Sequence, residues 1–573
     1  MQYREHPLRF ATIDVRRAYF YAPVRRPVFI EIPNEDIEDG DEDNVAQLNL
    51  SLYGTRDAAQ NWSEEYTRHL KSLGFQVGAA SPCNFWHRSR DIRMTVHGDD
   101  FAVAAPTEQM RWLRKVISDK YEIKMAVLGP EEGQASEVKI LNRIVRWEDN
   151  GIHYEPDQRH VELMVEEMGL KSAKSVATPA MSEGDLERMK AANPKADELL
   201  DGPMSTKYRG INARINYLSI DRPDIQYACK CASKYMANPT VHAWDVLTRI
   251  VKYLKGKPRM VQVYGWKDTS KSLNAFGDSD WAGDRTTLKS TSGGVITWAG
   301  HALKSWSTNQ STLALSSGEA ELYAILKAAT QLRGIMSLAL DFGIALSGTV
   351  RTGSNAALGI VYRSGLGGRC RHIKVQYLWI QQSIKNKDFD IDKIDGTKNP
   401  ADIFTKSIGQ DLMELHLDNI GYAFVEGRAD NQSKLHQICR KSAGASDYWK
   451  ERNRGNDGTW LRVHAKVREA MFTPMKVAKG PTSGSEVGKW RHSFFTSGDG
   501  PVSYSRDDWE SLQNAHERFE RPMYGITLFC SRRDLTDANK YALMHYARGR
   551  GGVQNIASLL HDDCEHDRII GST

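Results

Sequence analysis

The sequence predicts a multidomain chain of mixed α/β and α+β class. Its 573 residues are enough for about three to five domains of ordinary size. Two short apolar runs flank Gly98-Asp99-Asp100, which is typical of a strand–turn–strand unit. Further along, a strand, a hairpin and a long amphipathic helix follow one another between residues 273 and 343. The first pattern indicates an antiparallel α+β part, and the second indicates an α/β part.

Helix and strand signals in the first part are local. Residues 58–75 are predicted to form a helix, because apolar side chains recur at helical spacing and Gly74 stands where a C-terminal cap belongs. Residues 94–103 are predicted to form strands that are interrupted at Gly98. A polar stretch at 181–207 is predicted to separate this part from the next.

The second part begins with a predicted strand at 273–276 and a hairpin of 294–298 with 302–306 around Ala299-Gly300. Ser316-Ser317 is predicted to cap a long helix that ends at Gly343. A strand is predicted at 389–394, and a helix around Ala401. The stripe of the long helix comprises Leu322, Ile325, Ala329, Leu332, Met336 and Leu340.

Composition limits the classes of protein to consider. The chain is 40% hydrophobic and 26% charged, which is ordinary for a globular protein. No apolar run approaches the roughly 18 residues of a membrane span, so no membrane partner is expected. The 7 cysteines are scattered without zinc-ligand spacing, which favours a reducing compartment such as cytoplasm or nucleus. The formal net charge of +5 is weak evidence for a nucleic-acid partner.

Three carboxylates in the first part suit metal-dependent phosphoryl transfer. Asp14 ends an apolar strand, and Asp99 and Asp100 stand in a tight turn. A polymerase needs two divalent ions roughly 3.5–4 Å apart, and such carboxylates can hold them. Mg²⁺ (or Mn²⁺) prefers this oxygen donor set. Each acid taken alone is more typical of a solvated loop.

The surrounding motifs resemble those of copia-type retrotransposon reverse transcriptases. They comprise Asp14-Val-Arg-Arg-Ala-Tyr-Phe, Leu50-Ser-Leu-Tyr-Gly-Thr-Arg-Asp-Ala-Ala-Gln-Asn-Trp62, His97-Gly-Asp-Asp100, where Tyr-Val-Asp-Asp is usual, and Arg222-Pro-Asp-Ile225. The resemblance covers about residues 1–410. It implies that Asp14, Asp99 and Asp100 are the catalytic metal ligands of an RNA-directed DNA polymerase. It also implies Mg²⁺ (or Mn²⁺) as cofactor and an RNA template and dNTPs as partners.

A second set of acids resembles the copia-type ribonuclease H domain. Its motifs are Phe276-Gly-Asp278-Ser-Asp280, Glu319-Ala-Glu321-Leu-Tyr-Ala324 and Asn399-Pro-Ala-Asp402, with a Thr-Ser-Gly-Gly turn ending at Gly294. Singly, these acids are more typical of helix starts and surfaces. The resemblance implies catalytic metal ligands at Asp278, Glu321 and Asp402, Glu321 being chosen by its Glu-x-x-Ala pattern. It also implies an RNA–DNA hybrid as partner and a mixed five-stranded sheet.

Two departures from this family predict impaired catalysis. Gly353 stands where the ribonuclease H pattern has an Asp, and Lys374 follows His-Ile where Asp is frequent. Only thirteen residues precede Asp14, whereas a fingers segment precedes this Asp in the family. Because positioning dominates phosphoryl transfer, the sequence predicts an N-terminally truncated, decayed copy with little activity. A working polymerase–nuclease completed by another chain and a non-catalytic nucleic-acid-binding remnant are the alternatives.

The predicted domains are a truncated reverse transcriptase of palm and thumb side (1–180), a connection segment (181–270), a ribonuclease H-like domain (271–425) and a tail of unknown function (426–573). Residues 34–44 are predicted to form an acidic solvated loop, and 479–485 a linker. The sequence indicates no oligomeric state. Basic candidates for a nucleic-acid groove, most of which are expected to be ordinary solvated residues, are Arg111, Arg114, Lys115, Lys120, Lys124, Lys304 with Trp306, and Arg371.

Overall fold

The computed structural model describes residues 8–31, 44–266, 270–365, 367, 370–429 and 472–476. The chain divides into two compact units. Unit 1 comprises residues 1–14, 74–119 and 123–435, and unit 2 comprises residues 15–73, 120–122 and 436–573. The predicted linker and, apart from Asn44, the predicted acidic loop lie outside the described residues.

In chain order the strands are β1 (Leu8–Val15), β2 (Phe29–Glu31), β3 (Asn44–Leu48), β4 (Gln76–Val77), β5 (Asn84–His87), β6 (Ile92–His97), β7 (Asp100–Pro106), β8 (Ile123–Leu128), β9 (Glu137–Ile140), β10 (Arg143–Glu148), β11 (Gly151–Glu155), β12 (Arg259–Gly265), β13 (Ser272–Ser279), β14 (Thr291–Trp298), β15 (His301–Asn309), β16 (Ser347–Thr352), β17 (Asp390–Lys393), β18 (Tyr422–Val425) and β19 (Phe472–Lys476).

The α-helices are α1 (Ala58–Ser72), α2 (Thr107–Ser118), α3 (Arg159–Glu167), α4 (Glu183–Ala191), α5 (Gly202–Ser219), α6 (Gln226–Ser233), α7 (Val241–Gly256), α8 (Ser317–Asp341), α9 (Asn355–Val361), α10 (Trp379–Lys385) and α11 (Gln410–Asn419). Short 3₁₀ segments include Ala18–Tyr21, Pro223–Ile225, Gly396–Lys398 and Pro400–Phe404. Across the described residues, no helix combines the length and the apolar character needed to cross a bilayer.

A six-stranded sheet in unit 1 has the order β4-β5-β6-β7-β1-β8. The pairs from β4 through to β1 are antiparallel. Along β1 and β7 every second side chain is buried, including Ile13 and Val103, because successive side chains of a strand point to opposite faces. The expected turn at Gly98 is confirmed, since β6 and β7 form a hairpin around it.

A second sheet of unit 1, in the order β18-β12-β11-β10-β9, is antiparallel throughout. Helices α3, α5, α6 and α7 build an apolar core beside it. Within that core Arg222 donates two hydrogen bonds to the carboxylate of Asp224, and the Tyr253 hydroxyl donates a third. All three side chains are buried. The Arg222-Pro-Asp motif is therefore an internal ion pair that ties the start of α6 to α7.

The third sheet of unit 1 is mixed and has the order β15-β14-β13-β16-β17. β13 pairs antiparallel with β14 and parallel with β16, which pairs parallel with β17. The long helix α8 packs on this sheet and is capped by Ser316, as expected. This is the strand order of a ribonuclease H-like fold, so the expected mixed five-stranded sheet and the α/β plus α+β class are confirmed.

Three local expectations need correction. Gly294 lies inside β14 rather than in a turn, and Leu340 of the α8 stripe is 60% exposed. The helix expected around Ala401 is a 3₁₀ segment. The polar stretch 181–207 contains α4 and the start of α5. Helix α4 buries none of its side chains, so it has no apolar stripe that would predict it. The side chains of Ser182 and Asp201 cap α4 and α5.

Unit 2 contains a three-stranded antiparallel sheet in the order β19-β3-β2. β19 belongs to the segment predicted as tail, and it pairs along the whole of β3. Helix α1 buries Trp62, Tyr66 and Leu70 on one face. Its predicted C-terminal cap is confirmed, since Gly74 has a φ of +94°.

Candidate active sites

The first candidate site lies at the end of the β6–β7 hairpin. Asp14 on β1 stands directly opposite Asp100 on β7, which in turn pairs with His97 on β6. Gly98 has a φ of +65°, a conformation that glycine adopts without strain, and it closes the tight turn that carries Asp99. The antiparallel register therefore brings all three predicted carboxylates to one edge of the six-stranded sheet.

Burial and charge repulsion act together on Asp100 at this first site. Burial, followed by the neighbouring Asp99 and Asp14, raises the pKa of Asp100, whereas His97 lowers it. Side chains directly opposite on antiparallel strands have Cβ atoms about 4.5–5.5 Å apart, and like charges there are destabilising. The arrangement is costly without a cation and suits one.

The second candidate site lies at the carboxyl edge of the mixed sheet. Asp278 stands near the end of β13, Glu321 in the first turns of α8, and Asp402 in the 3₁₀ segment Pro400–Phe404. The Thr405 hydroxyl donates a hydrogen bond of 2.5 Å to Asp278. The Lys406 ammonium lies 2.9 Å from Asp402 Oδ2. The fold thus brings together three residues that are far apart in the sequence.

Burial and the charge of Asp278 raise the pKa values of Glu321 and Asp402 at the second site. Burial, then Asp278 and Asp402, raises the pKa of Glu321 to about 8, against opposing effects of Lys406 and of a hydrogen bond from the Ser279 backbone. Burial and Asp278 raise the pKa of Asp402 to about 6, although Lys406 acts in the opposite direction. The single Lys406 ammonium therefore does not neutralise the three carboxylates.

Two local features place Asp402 and Thr405. Gly293 pairs with Asp278 across β13 and β14, and a Cβ there would lie 2.6 Å from Thr405 Cγ2 and 2.7 Å from Phe404 Cβ. The missing side chain leaves room for the 3₁₀ segment to approach the strand. Asn399 caps this segment by accepting from the Ala401 N–H, and its amide donates to the Gly277 carbonyl.

Gly353 follows β16 at the same edge. The last parallel register pair is Phe276 with Arg351, and Asp278 and Gly353 stand two residues beyond it on their strands. Gly353 is exposed, and a Cβ built there would meet only the Gly396 Cα, at 3.8 Å. The fourth carboxylate position of the pattern is thus present as a place in the fold but carries no side chain.

The two glutamates at the start of α8 face different surroundings. Glu321 interacts with Asp278, whereas Glu319 is buried and accepts hydrogen bonds from the Leu315 N–H, the Tyr323 hydroxyl and His372. Sequence reasoning gave no role to the Glu319–His372 pair or to Lys406. A signal for Lys406 existed, because residues four apart on a helical turn meet. No local signal joins Glu319 to His372.

The other nucleic-acid candidates divide into two groups. Trp306 is 7% exposed and packs over Gly294, so it belongs to the core of the mixed sheet rather than to a nucleic-acid surface. The basic side chains of α2, β8 and β15 that were singled out are exposed, as ordinary solvated residues are: Arg111, Arg114, Lys115, Lys124 and Lys304. Lys120 and Arg371 are exposed as well.

The donor chemistry at both sites fits divalent cations, although neither is a closed metal cage. Within the described part of the chain, no three His, Cys, Asp or Glu side chains are already arranged to hold a metal. At the second site, however, Glu321 Oε2 is buried without a hydrogen-bond partner. A buried carboxylate oxygen without a partner, beside two further carboxylates, is the donor set that Mg²⁺ or Mn²⁺ prefers.

Comparison with known proteins agrees with the geometry. Residues 5–182 match the reverse transcriptase (RNA-dependent DNA polymerase) family. The retrovirus-related Pol polyprotein of transposon TNT 1-94 from Nicotiana tabacum is 26% identical over 416 residues, which are 71% of this chain and 30% of that protein. The corresponding polyprotein of transposon RE2 from Arabidopsis thaliana is 27% identical over 422 residues, 71% of this chain and 27% of its own length. The chain is thus similar to retrotransposon Pol polyproteins over 71% of its length.

The chain spans about 30% of the length of the tobacco relative. Among solved structures, the foamy viral protease-reverse transcriptase in complex with an RNA/DNA hybrid resembles it with a TM-score of 0.38 and 10% identity, covering 68% of this chain and 44% of that one. The match of residues 5–182 to the family and the two polyprotein relatives show that the chain carries a reverse transcriptase domain like those of retrotransposon Pol polyproteins.

Proposed function

We propose that this chain copies RNA into DNA at Asp14, Asp99 and Asp100, and that it hydrolyses the RNA strand of RNA–DNA hybrids at Asp278, Glu321 and Asp402. Its nuclease is impaired because Gly353 supplies no carboxylate. The observation that carries the proposal is the register that sets Asp14 opposite Asp100, with Asp99 in the adjoining turn. RNA template, dNTPs and RNA–DNA hybrid are the substrates within this proposal.

At the polymerase site the hairpin positions the ligands. Asp14 and Asp100 are held by the backbone pairing of their strands, so their carboxylates need little reorganisation to share a cation. Divalent ions, when bound, would activate the attacking 3′-hydroxyl and stabilise the leaving pyrophosphate. The residues would hold Mg²⁺ (or Mn²⁺), and the exposure of Asp14 leaves the edge open to a substrate.

At the nuclease site the chain orients each acid through a neighbour. The Thr405 hydroxyl holds Asp278, the Ser279 backbone holds Glu321, and Lys406 holds Asp402. These contacts fix the side-chain rotamers and keep the three carboxylates directed at one another. Without the carboxylate at 353, the charge that binds divalent ions is reduced, and removal of one electrostatic contributor costs about 10²–10³ in rate in well-studied enzymes.

Incorporation of dTTP on a primed poly(rA) template tests the polymerase part. Activity of the purified chain should need Mg²⁺ or Mn²⁺ and should be lost in Asp99→Asn. Asp119→Asn, an exposed acid at the end of α2, is the matched control and should incorporate like the parent. If Asp99→Asn incorporates as well as the parent, the polymerase assignment is wrong. If neither protein incorporates, the chain is the decayed copy that its sequence predicts.

A non-catalytic nucleic-acid-binding role is the second candidate, and the lack of a carboxylate at Gly353 favours it. Filter binding of an RNA–DNA hybrid in EDTA measures binding without turnover. Retention of the hybrid by the parent in EDTA, with no cleavage in Mg²⁺ or Mn²⁺, would support this role. Cleavage that is lost in Glu321→Gln would instead support the nuclease.

A further inference from the structure

Lys406 occupies an unusual place for a surface lysine. Its ammonium lies 2.9 Å from Asp402 Oδ2, where the Asp402 side chain is only 13% exposed. The same ammonium is within electrostatic reach of Asp278 and Glu321. Lys406 itself is 51% exposed, so it enters the acidic edge from the solvent side. An ordinary exposed pair with four-residue spacing contacts a single acid.

The balance of charges at the nuclease site indicates a role for the Lys406 ammonium. The nuclease site has three carboxylates, because Gly353 contributes none. Three negative charges are neutralised by one divalent ion together with one ammonium. Two divalent ions and the ammonium would leave a net positive charge in a half-buried site, and cations a few ångströms apart repel strongly. An acid at position 353 would add a fourth negative charge and so favour binding of a second divalent ion.

We infer that the nuclease site binds a single divalent cation and that the Lys406 ammonium takes the electrostatic place of a second one. The inference rests on the proposed function and adds the stoichiometry of its cofactor. Asp278 and Glu321 would hold the ion, since the Glu321 Oε2 atom has no partner within the protein. Lys406 would stay with Asp402. It is a positioning residue, not a ligand.

Counting bound Mn²⁺ by electron paramagnetic resonance tests this inference on the full chain. The substitutions Asp14→Asn, Asp99→Asn and Asp100→Asn are made first, so that ions at the polymerase site do not contribute. In that background, Glu321→Gln should remove one bound ion. Lys406→Met should bind the ion at least tenfold more tightly, because a repelling charge has gone. Lys398→Met replaces an exposed lysine at the end of the preceding 3₁₀ segment, Gly396–Lys398, and should bind the ion as the parent does.

Adding Gly353→Asp to the same background should raise the count from one ion to two. A melting curve in MnCl₂ for each variant shows that it is folded. Two ions in the protein that retains Gly353, or equal Mn²⁺ affinities of Lys406→Met and Lys398→Met, would overturn the inference. The proposed function fails separately: one ion at the site without hybrid cleavage would contradict the nuclease, and cleavage with two ions would contradict only the stoichiometry.

Discussion

Placing a carboxylate at position 353 is the most informative perturbation of this chain. Gly353→Asp should fold like the parent, because the new Cβ meets only the Gly396 Cα, at an ordinary contact distance of 3.8 Å. The backbone there is not in the left-handed region, since the φ of Gly353 is not positive. A β-carbon at a strand end costs little, and glycine itself is less favourable than Ala by about 0.5–1 kcal/mol.

The expected gain follows from the strand geometry. The carboxylate introduced by Gly353→Asp would stand beside Asp278 on the neighbouring parallel strand, about 5 Å away. A unit charge at that distance contributes about 3 kcal/mol at an effective dielectric constant of 20. Without an ion, the added carboxylate and Asp278 repel each other. With a divalent ion bound beside them, the added carboxylate is attracted to the ion. Since a tenfold rate change corresponds to about 1.4 kcal/mol, hybrid cleavage should rise about a hundredfold.

Cleavage of a fluorescently labelled RNA strand in an RNA–DNA hybrid, with Mg²⁺ or Mn²⁺ and with an EDTA blank, measures this gain. Gly359→Asp is the matched control, because it adds the same charge at an exposed, sterically open glycine of α9. A parent rate that Gly353→Asp leaves unchanged would refute the assignment of position 353. A variant with the parental melting curve that stays inert would place the lesion elsewhere, with Lys374 as the next position to substitute.

Three further substitutions have defined outcomes. Arg222→Met should destabilise the chain by about 3–5 kcal/mol in urea unfolding, because it leaves the buried Asp224 carboxylate without its cation. Gly293→Ala should cost about 1–3 kcal/mol by crowding Thr405, and it should weaken Mn²⁺ binding at the nuclease site. Glu321→Gln should remove one part of the pH dependence of the free energy of unfolding, measured in EDTA so that no divalent ion is bound. The native state holds the Glu321 proton up to about pH 8, whereas the unfolded chain releases it near the ordinary value of 4.5. The contribution of Glu321 to stability is therefore fully present below pH 4.5 and is lost as the pH rises to about 8.

Each of these three substitutions has its own control and its own contrary result. Arg214→Met breaks an exposed pair with Glu167 and should cost less than about 1 kcal/mol. An equal cost for Arg222→Met would show that the buried pair is not important. Gly334→Ala, in open space on α8, should stabilise by up to about 1 kcal/mol. If Gly293→Ala changes the free energy of unfolding as little as Gly334→Ala does, the close contact of Gly293 with Thr405 does not matter for stability. Parallel stability–pH curves for the parent and Glu321→Gln would contradict the pKa argument.

Much of the secondary structure could be predicted locally. The stripe of α8 and its Ser316 cap lie within one window of sequence, as do the hairpin at Gly98 and the cap at Gly74. Periodicity, caps and turn residues act over a few positions, so each window contains its own evidence. The exceptions were the polar helix α4 and the exposed Leu340. Their outcome depends on which neighbours cover them.

The sequence by itself also determined which residues carry charge: three acids for each candidate site, and none at Gly353. Only the tertiary structure decided which of them meet. The approach of Gly353 to Asp278 depends on the parallel pairing of β13 with β16, strands that the β14–β15 hairpin and α8 separate. Likewise, the hydrogen bond of Glu319 with His372 joins segments that are distant in the sequence. The same is true of the approach of Lys406 to Asp278 and Glu321. Parallel pairing needs a long crossover, and its register is set by packing across the whole sheet.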